Sequence, residues 1–156
     1  MIEMMNDQLC ESYMDEALKE ARIALEEGEV PVGAVLVKDG RIIARGRNHR
    51  EQRLDISSHA EIEALKAGAQ VLGTWDLSSC ALVVTLEPCL MCAGAIEQAR
   101  ITTLIYGADD PQEGAVTSKR AIFDDADHGK RILIYRGIKK TDCEALLRGF
   151  FYTRRT

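Results

Sequence analysis

The sequence predicts an α/β fold in which helices cover both faces of a single mixed sheet. Three observations lead to this prediction: an apolar helical stripe comes first, a strand hairpin follows, and strands then alternate with helices. Alternating strands and helices favour parallel pairing, whereas a hairpin is antiparallel, so the sheet should contain both kinds of pairing. A chain of 156 residues with 46% hydrophobic and 29% charged side chains has the size of one domain with an ordinary core. We therefore expect residues 1–156 to form one domain.

The first three elements are a helix and the two strands of a hairpin. A helix is predicted over roughly Glu11 to Glu27, because apolar residues recur at steps of three and four and the stripe ends at Gly28. The stripe consists of Met14, Ala17, Leu18, Ala21, Ala24 and Leu25. An apolar run from Val30 to Val37, the turn signal Asp39-Gly40 and an extended segment from Arg41 to Asn48 predict the hairpin.

The next elements are two helices separated by a strand. Ser58 opens a helix with an apolar face, and Ala81 to Leu86 is typical of a buried strand. Pro88 can occupy the first position of the following helix, where the missing N–H of a proline costs nothing. The apolar face of the earlier helix contains Ile62, Leu65 and Ala69.

Two strands and a helix complete the chain. The segments from Thr103 to Tyr106 and from Arg131 to Tyr135 have the composition of strands, and the loop between them includes residues 109–114. Thr141, followed by Glu144, can form a capping box at the start of the last helix. The apolar face of that helix contains Leu146, Leu147, Phe150 and Phe151.

Composition and cysteine usage exclude two broad classes of protein. No apolar run approaches the roughly 20 residues that a membrane span needs, and residues 1–6 lack the basic region and apolar stretch of a signal peptide. Five cysteines in a chain of this size favour reduced thiols or metal ligands over disulfides. We therefore expect a soluble cytoplasmic protein, in which Cys10, Cys80 and Cys143 are buried or incidental thiols.

The charge of the chain is negative overall but unevenly distributed. A net charge of −5 by itself argues against a nucleic-acid partner, because phosphate binding depends on lysine and arginine. Residues 130–156, however, contain eight Lys or Arg and two acids, and residues 38–53 contain six and two. Such clusters are ordinarily solvated faces. They permit an RNA partner without demonstrating one.

Two short motifs at predicted helix starts point to metal chemistry. Cys89 and Cys92 are three residues apart, so their sulfurs share one helix face, and the helix dipole favours the thiolates that zinc requires. His59 would be a third ligand and would leave one tetrahedral position for water, as in catalytic zinc sites. We therefore expect one Zn²⁺ ion per chain.

Glu61 is the candidate for proton transfer, because it stands two residues from His59 and is not needed as a ligand. Zinc lowers the pKa of its water. A nearby carboxylate can take the released proton and pass it to a ring nitrogen, and then supply one to departing ammonia. This arrangement is typical of zinc-dependent nucleobase deaminases.

Each of these residues also has a simpler interpretation. Glu61 stands three residues after Ser58, which is the spacing of a capping box. A lone histidine at a helix start is usually a surface residue, and a lone Cys-x-x-Cys can be a redox pair or half of a structural zinc site. The sequence contains no second Cys-x-x-Cys to complete a structural site. The joint occurrence of both motifs at two helix starts favours the deaminase-type site.

Over nearly its whole length the chain resembles the bacterial tRNA-specific adenosine deaminases, a branch of the cytidine deaminase-like superfamily. The His-x-Glu and Cys-x-x-Cys pair is common to the superfamily, whereas its combination with the other matching segments is narrower. Those segments are Glu29-Val30-Pro31-Val32-Gly33-Ala34-Val35, Asn48, residues 84–95, Tyr106-Gly107-Ala108 with Asp110 and Gly114, and Phe150-Phe151 with Arg154-Arg155.

The resemblance implies a fold, a reaction and a set of binding residues. The fold is the three-layer cytidine deaminase-like fold, with a central mixed five-stranded sheet flanked by helices. The reaction is hydrolysis of the wobble adenosine of a tRNA anticodon to inosine, carried out by a homodimer. Asn48 and the backbone at Ala60 are implied to hold the target base, and Asp110, Phe151 and Arg154 to contact the anticodon stem-loop. From the residues alone, Asn48 could instead end a strand, Asp110 could be a loop acid and Phe151 a core residue.

Two segments depart from the pattern of that family. Asp55-Ile56-Ser57-Ser58 stands where the family commonly has Asp-Pro-Thr-Ala, and Asp127-His128-Gly129-Lys130-Arg131 replaces Asn-His-Arg. The chain also ends soon after Arg155, so we expect the tail contacts of longer members to be missing. These departures should affect contacts with RNA and leave the hydrolysis unchanged.

The same motifs leave two other functions open. A related enzyme could act on a free base or nucleotide, such as guanine or cytosine, although the clustered arginines near the C-terminus favour RNA. A non-catalytic, zinc-bound RNA-binding subunit would lack the proton-transferring carboxylate. The presence of Glu61 counts against that third possibility.

Overall fold

The computed structural model of the protein describes residues 6–124 and 132–154, with the backbone alone for residues 152–154. The helices are α1 (Asp7–Glu26), α2 (Arg50–Arg53), α3 (Ala60–Leu72), α4 (Leu90–Gln98) and α5 (Lys140–Arg154). The strands are β1 (Gly33–Lys38), β2 (Arg41–Arg47), β3 (Cys80–Leu86), β4 (Thr103–Ala108) and β5 (Leu133–Tyr135). A short 3₁₀ helix covers Ile122–Asp124.

The five strands form one mixed sheet, as the sequence predicts. Its strand order is β2-β1-β3-β4-β5. β1 runs antiparallel to both β2 and β3, while β3, β4 and β5 run parallel to one another. At the centre, Val35 faces Val83 across the antiparallel pair, and Val83 faces Ile105 across the parallel pair. The hairpin and the β3-α4-β4 unit therefore share one sheet.

Helices cover both faces of this sheet, which gives three layers. Alternate residues of a strand point to opposite faces. In β1, Val35 and Val37 pack in the cluster that contains α1 and α5, whereas Ala34 and Leu36 pack in the cluster that contains α3 and α4. The predicted fold class is therefore confirmed. Among the described residues, none of the helices has the length and apolar character required to cross a membrane.

α1 and β1 begin at residues other than those predicted, and local hydrogen bonds explain both differences. α1 begins four residues earlier than predicted, at Asp7, because the Asn6 side chain accepts a hydrogen bond from the Leu9 N–H at 2.8 Å and caps the helix. β1 begins at Gly33 rather than at Val30, because residues 30–32 form a turn closed by a 2.8 Å backbone hydrogen bond. Apolar composition alone did not distinguish that turn from a strand.

α4 begins later than predicted. Pro88 does not occupy its first position, because the helix begins at Leu90 and Cys89 precedes it as the N-cap. The Pro88 carbonyl instead accepts a hydrogen bond from the N–H of Ala115 at 2.9 Å. The prediction was wrong because pairing with this later loop keeps the segment around Pro88 extended.

The capping box, which was the simpler interpretation of Ser58 and Glu61, is absent from the described start of α3. His59 is the N-cap of α3, and the Ser58 hydroxyl donates to the Glu63 carboxylate at 2.8 Å instead of capping the helix. Glu61 is buried within the first turn. The interpretation of Ser58 and Glu61 as a capping box is therefore wrong, and the side chain of Glu61 is left for the site itself.

The C-terminal elements differ in detail from the prediction. α5 begins at Lys140, so Thr141 lies inside the helix and is not the predicted cap with Glu144. β5 has three residues, and Arg131 of the predicted strand lies outside the described residues. Neither α2 nor the 3₁₀ helix was predicted, because each is too short to produce a periodic pattern.

Candidate active site

Three side chains that can bind a metal ion lie together at the starts of α3 and α4. The imidazole of His59 and the sulfurs of Cys89 and Cys92 place their ligand atoms within 4.8 Å of one another. The His59 Nδ1 atom lies 3.7 Å from the Cys89 Sγ atom and 3.5 Å from the Cys92 Sγ atom. Tetrahedral bonds from zinc of about 2.3 Å to sulfur and about 2.0 Å to nitrogen separate those two atoms by about 3.5 Å. The donor set and its spacing therefore fit a zinc ion.

The starts of two helices bring these ligands together. His59 is the N-cap of α3, Cys89 is the N-cap of α4, and Cys92 follows in the first turn of α4. The positive end of each helix dipole favours negative charge on the sulfurs. On the sheet side, a Cβ atom at Gly46 would overlap the carbonyl oxygen of Ala60. The absence of a side chain at position 46 therefore sets how closely α3 packs on β2.

The two cysteines of the site differ in pKa although they are neighbours. The hydrogen bond from Cys92 lowers the pKa of Cys89 to about 4. The hydrogen bond with His59 lowers this pKa further, whereas partial burial raises it. The same Cys89–Cys92 hydrogen bond, together with burial, raises the pKa of Cys92. The hydrogen bond to Cys89 also raises the pKa of His59. These contacts favour the thiolate form of Cys89, which is the form that binds zinc.

Glu61 is the buried acid of the site. It lies in the first turn of α3 and is only 4% exposed. Burial raises the pKa of its carboxyl to about 7, although a backbone hydrogen bond and the nearby His59 oppose the shift. A carboxyl that titrates near neutral pH can both accept and donate a proton.

A cavity of about 710 Å³ lies next to these residues. His59, Glu61 and Cys89 line it, whereas Cys92 is fully buried. A cavity of this size accommodates a small ligand. Four of the five residues predicted to bind the substrate line the same cavity, namely Asn48, Ala60, Asp110 and Phe151. The backbone of α5 reaches the fifth, Arg154, whose side chain lies outside the described residues.

Asn48 and Asp110 also stabilise the loops in which they lie. The Asn48 Oδ1 atom accepts a hydrogen bond from the Arg50 N–H at 3.0 Å. The Asp110 Oδ1 atom accepts hydrogen bonds from the N–H groups of Gln112 and Glu113, both at 3.2 Å. Both residues therefore have the turn roles that their residue types suggest, in addition to their places in the cavity wall.

Phe151 is not a core residue, so that interpretation of it is wrong. Its side chain is 52% exposed. It packs edge-on against the buried Phe150, with the ring centroids 5.4 Å apart. Leu147, one turn earlier in α5, also lines the cavity. The last helix therefore contributes an exposed aromatic ring to the cavity wall.

Many cations of the two basic stretches are paired with acids. The pairs are Arg45–Glu16, Arg47–Glu27, Arg53–Glu63, Lys139–Asp15 and Lys140–Asp109, at distances of 2.6 to 3.1 Å. Arg136 lies 3.5 Å from Asp109 as well. The number of basic residues in the sequence therefore overestimates the positive charge that these stretches offer to a phosphate backbone.

Two buried carboxylates near the cavity have no role in the sequence-based predictions. Glu29 is 1% exposed and Glu87 is 2% exposed, and Glu87 lines the cavity. Each is an acid directly adjoining an apolar run, with a proline one or two residues later. An acid next to a buried apolar run is expected to be buried as well, and a buried acid needs hydrogen-bond partners. That sequence pattern is therefore the signal by which the two acids could have been found.

Glu87 accepts hydrogen bonds from the loop that follows β4. The N–H of Asp110 donates to it at 3.0 Å, and those of Val116, Thr117 and Ser118 donate at 3.1, 2.8 and 3.0 Å. The Ser118 hydroxyl also donates to this carboxylate. Burial would raise the pKa of Glu87, but the hydrogen bonds from Ser118, Thr117 and Asp110 lower it below its ordinary value. Glu87 is therefore ionised.

One of the two segments that depart from the family pattern lies within the described residues. In Asp55-Ile56-Ser57-Ser58, the Asp55 carboxylate accepts hydrogen bonds from the Ser57 N–H at 2.9 Å and from the Ser57 hydroxyl at 2.7 Å. The Ile56 side chain is 80% exposed. The segment is therefore a closed turn that presents an apolar side chain to solvent. The other segment, residues 127–131, lies outside the described residues, as does Arg155.

The three remaining cysteines are buried thiols, as predicted. Cys10, Cys80 and Cys143 are free and buried. Burial raises the pKa of each thiol, and in Cys143 it raises the pKa to about 12. Protonated, buried thiols of this kind are unreactive.

Several known deaminases are similar to this chain in sequence and structure. A sequence model of the MafB19-like deaminase family matches residues 7–155. The tRNA-specific adenosine deaminase of Streptococcus pyogenes serotype M1 is 43% identical over 89% of this chain and 81% of its own length. That of Agrobacterium fabrum is 45% identical over 92% of this chain and 94% of its own. A solved structure from studies of A-to-I editing by tRNA:A34 deaminases is 44% identical, with a TM-score of 0.84, and the match covers 87% of this chain and 99% of that chain.

Proposed function

This chain belongs to the tRNA-specific adenosine deaminase family, and we propose that it hydrolyses the wobble adenosine of a tRNA anticodon to inosine and releases ammonia. One observation carries the proposal. The metal-ligating group of His59, Cys89 and Cys92 lies with the buried Glu61 at a cavity large enough for a nucleoside. That combination is the signature of zinc-dependent base deaminases. In this proposal residues 1–156 act as a single deaminase domain.

The metal in this proposal is zinc, one ion per chain, held by His59, Cys89 and Cys92. Two sulfurs and an imidazole nitrogen are a donor set that suits zinc. Three protein ligands leave a fourth position for water, as in catalytic zinc sites. Zinc bound there supplies a Lewis acid that lowers the pKa of the attacking water towards neutrality.

Glu61 moves the protons of the reaction. Its carboxylate first takes a proton from the water that adds to C6 of the adenine ring and gives that proton to the ring nitrogen N1. It then carries the proton of the new hydroxyl group to the exocyclic amino group. The bond between C6 and that amino nitrogen breaks, ammonia leaves, and the carbonyl group of inosine remains. Burial supports this role, because it brings the pKa of Glu61 to about 7.

Residues around the cavity hold the base and the anticodon stem-loop in this proposal. Asn48 and the backbone of Ala60 hold the base, which their places in the cavity wall support. Asp110 and Phe151 contact the anticodon loop, and the half-exposed ring of Phe151 offers a surface on which a base can stack. The role of Arg154 rests on the family resemblance alone.

We infer that the active form is a cytoplasmic homodimer. The exposed Trp75 side chain lies at an apolar depression of about 580 Å³ between α3 and α4. Exposed apolar surface of this kind is typical of a protein–protein contact. The cytoplasmic location follows from the tRNA substrate. Sedimentation equilibrium measures the mass of the particle, and a monomer at working concentrations would contradict the dimer.

The test of the proposed function compares an RNA with small molecules. Purified protein is incubated with an anticodon stem-loop that carries a wobble adenosine and, separately, with free guanine, cytosine and adenosine. We expect inosine in the stem-loop and no ammonia from the small molecules. Ammonia from a free base alone would overturn the tRNA substrate, and binding of the stem-loop without inosine would identify a non-catalytic subunit. Metal analysis of the same preparation should find zinc, and His59→Ala should lose it.

A further inference from the structure

Two loops supply much of the cavity wall. The loop after β2 contributes Asn48 and Arg50, and the loop after β4 contributes residues 109–113. Backbone N–H groups in such loops need acceptors, because a buried unpaired amide costs free energy. Each loop has its own buried carboxylate, which comes from a different segment of the chain and whose oxygens accept hydrogen bonds from several of these N–H groups.

The loop of residues 109–118 is folded around the carboxylate of Glu87. The N–H of Asp110, at its start, and the N–H groups of residues 116–118, at its end, all donate to this carboxylate. Between them, Gly114 lies so close that a Cβ atom there would overlap the carboxyl group. One side chain therefore joins the two ends of the loop whose first part lines the cavity.

Glu29 acts in the same way on the loop that follows β2. Its two carboxylate oxygens accept hydrogen bonds from the N–H groups of Glu51 at 3.0 Å and Gln52 at 2.8 Å. These N–H groups lie at the start of the single turn α2. The N–H of Arg50, in the same turn, donates to the side chain of Asn48. Glu29 therefore holds the turn to which Asn48 is bonded.

Every donor described for these two carboxylates is a backbone N–H group or, for Glu87, also a hydroxyl. A buried acid costs free energy unless its oxygens are hydrogen-bonded, and an apolar residue of similar size fills a core at lower cost. We propose that Glu29 and Glu87 are positioning residues, which hold the two loops in the shape that receives the substrate. The identity of that substrate rests on the proposed function, whereas the loop contacts do not.

Amide hydrogen exchange in Glu29→Gln and Glu87→Gln tests the anchoring directly. Glutamine has the size of glutamate but offers one acceptor oxygen and turns an NH₂ group towards N–H donors. In Glu87→Gln, the amides of residues 110 and 116–118 should exchange at least about tenfold faster. In Glu29→Gln, the amides of residues 51 and 52 should do so. Each variant should leave the other loop and the strands of the sheet protected.

Steady-state kinetics on the stem-loop separate positioning from chemistry. Each variant should raise KM by about tenfold while kcat stays within about twofold of the wild-type value. Zinc content should be unchanged. Glu20→Gln is the matched control, because Glu20 is also a buried acid but lies in α1, pairs with Arg47 and does not line the cavity. It should change neither KM nor the exchange of either loop.

Three outcomes would overturn the inference: unchanged exchange in the loops, faster exchange with an unchanged KM, and loss of zinc from a variant whose sheet remains protected. If Glu87→Gln does not fold, Ser118→Ala removes one donor to the same carboxylate and should raise KM about threefold, with faster exchange at residues 117 and 118. If the wild-type protein makes no inosine in the stem-loop, the proposed function fails. The exchange data and the KM for the substrate that is turned over then still decide the inference.

Discussion

The cavity has a floor that lies on helix starts and a rim that lies on loops. The floor consists of His59, Glu61 and Cys89, and the buried Cys92 lies beside His59 beneath it. All four residues belong to the first turns or N-caps of α3 and α4. These helices pack on the sheet through fully buried apolar side chains. The rim consists of the loops of residues 48–58 and 109–118, together with Phe151, and much of it is held by hydrogen bonds to single side chains.

Because of this difference, we expect the floor to determine the rate of the reaction and the rim to determine the binding of the substrate. Close packing keeps the atoms of the floor within narrow limits, and proton transfer and metal binding require such limits. A loop held by a few hydrogen bonds can change with one substitution and leave the packed layers intact. Substitutions at the floor should therefore lower kcat, whereas substitutions at the rim should raise KM.

The largest effect is expected at the floor. Glu61→Gln should lower kcat by about 10²–10⁴-fold, because the amide cannot accept the proton of the attacking water. Zinc content and affinity for the stem-loop should not change. Single-turnover formation of inosine measures the effect. A variant that keeps more than about a tenth of the wild-type rate would refute the role of Glu61 and, with it, the distinction between floor and rim.

A smaller effect is expected at the rim. Phe151→Ala should raise KM for the stem-loop by about tenfold, because stacking of a base on an aromatic ring contributes about 1–3 kcal/mol, and it should change kcat by less than about twofold. Leu133→Ala is the control, since Leu133 is similarly exposed but lies on the edge strand β5 away from the cavity-lining residues. A fall in kcat at constant KM would mean that Phe151 takes part in the chemical step. That result would contradict the distinction between floor and rim.

The smallest effect concerns the link between floor and rim. Glu63 of α3 accepts hydrogen bonds from Arg53 at 2.7 Å and from Ser58 at 2.8 Å. Burial would raise the pKa of Glu63, but these hydrogen bonds outweigh it and lower the pKa. A lowered pKa means that the carboxylate stabilises the fold above its unfolded-state pKa, and that this stability is lost as the pH falls through its folded-state pKa.

Glu63→Gln should therefore lower the free energy of unfolding by about 0.5–1 kcal/mol at pH 7. The difference from the wild type should shrink as the pH falls below about 4. Urea denaturation at a series of pH values measures it. A difference that is the same at every pH would mean that the charge of Glu63 does not link the loop to the helix.

Much of the fold and all of the floor could be predicted because their signals are local. The apolar stripe from Met14 to Leu25 lies within α1 itself and is enough to predict that helix. The turn signal Asp39-Gly40 likewise predicts the hairpin. His59 and Glu61 lie two residues apart, as Cys89 and Cys92 lie three apart, so each pair is placed by one helix start. The predicted helix start at Pro88 failed where the signal was not local, because its partner Ala115 comes from a distant loop.

The sequence by itself determined which side chains are able to bind a metal and move a proton, since His59 and Glu61 share one short segment and Cys89 and Cys92 share another. Only the tertiary structure decided what the other charged residues do. Glu29 bonds to residues 22 and 23 positions later, and Glu87 to residues 23 to 31 positions later. Arg45 and Glu16, which are 29 positions apart, form a pair instead of leaving a free cation. Such donors and acceptors meet only after the helices and the sheet have packed, so no local pattern encodes their pairing.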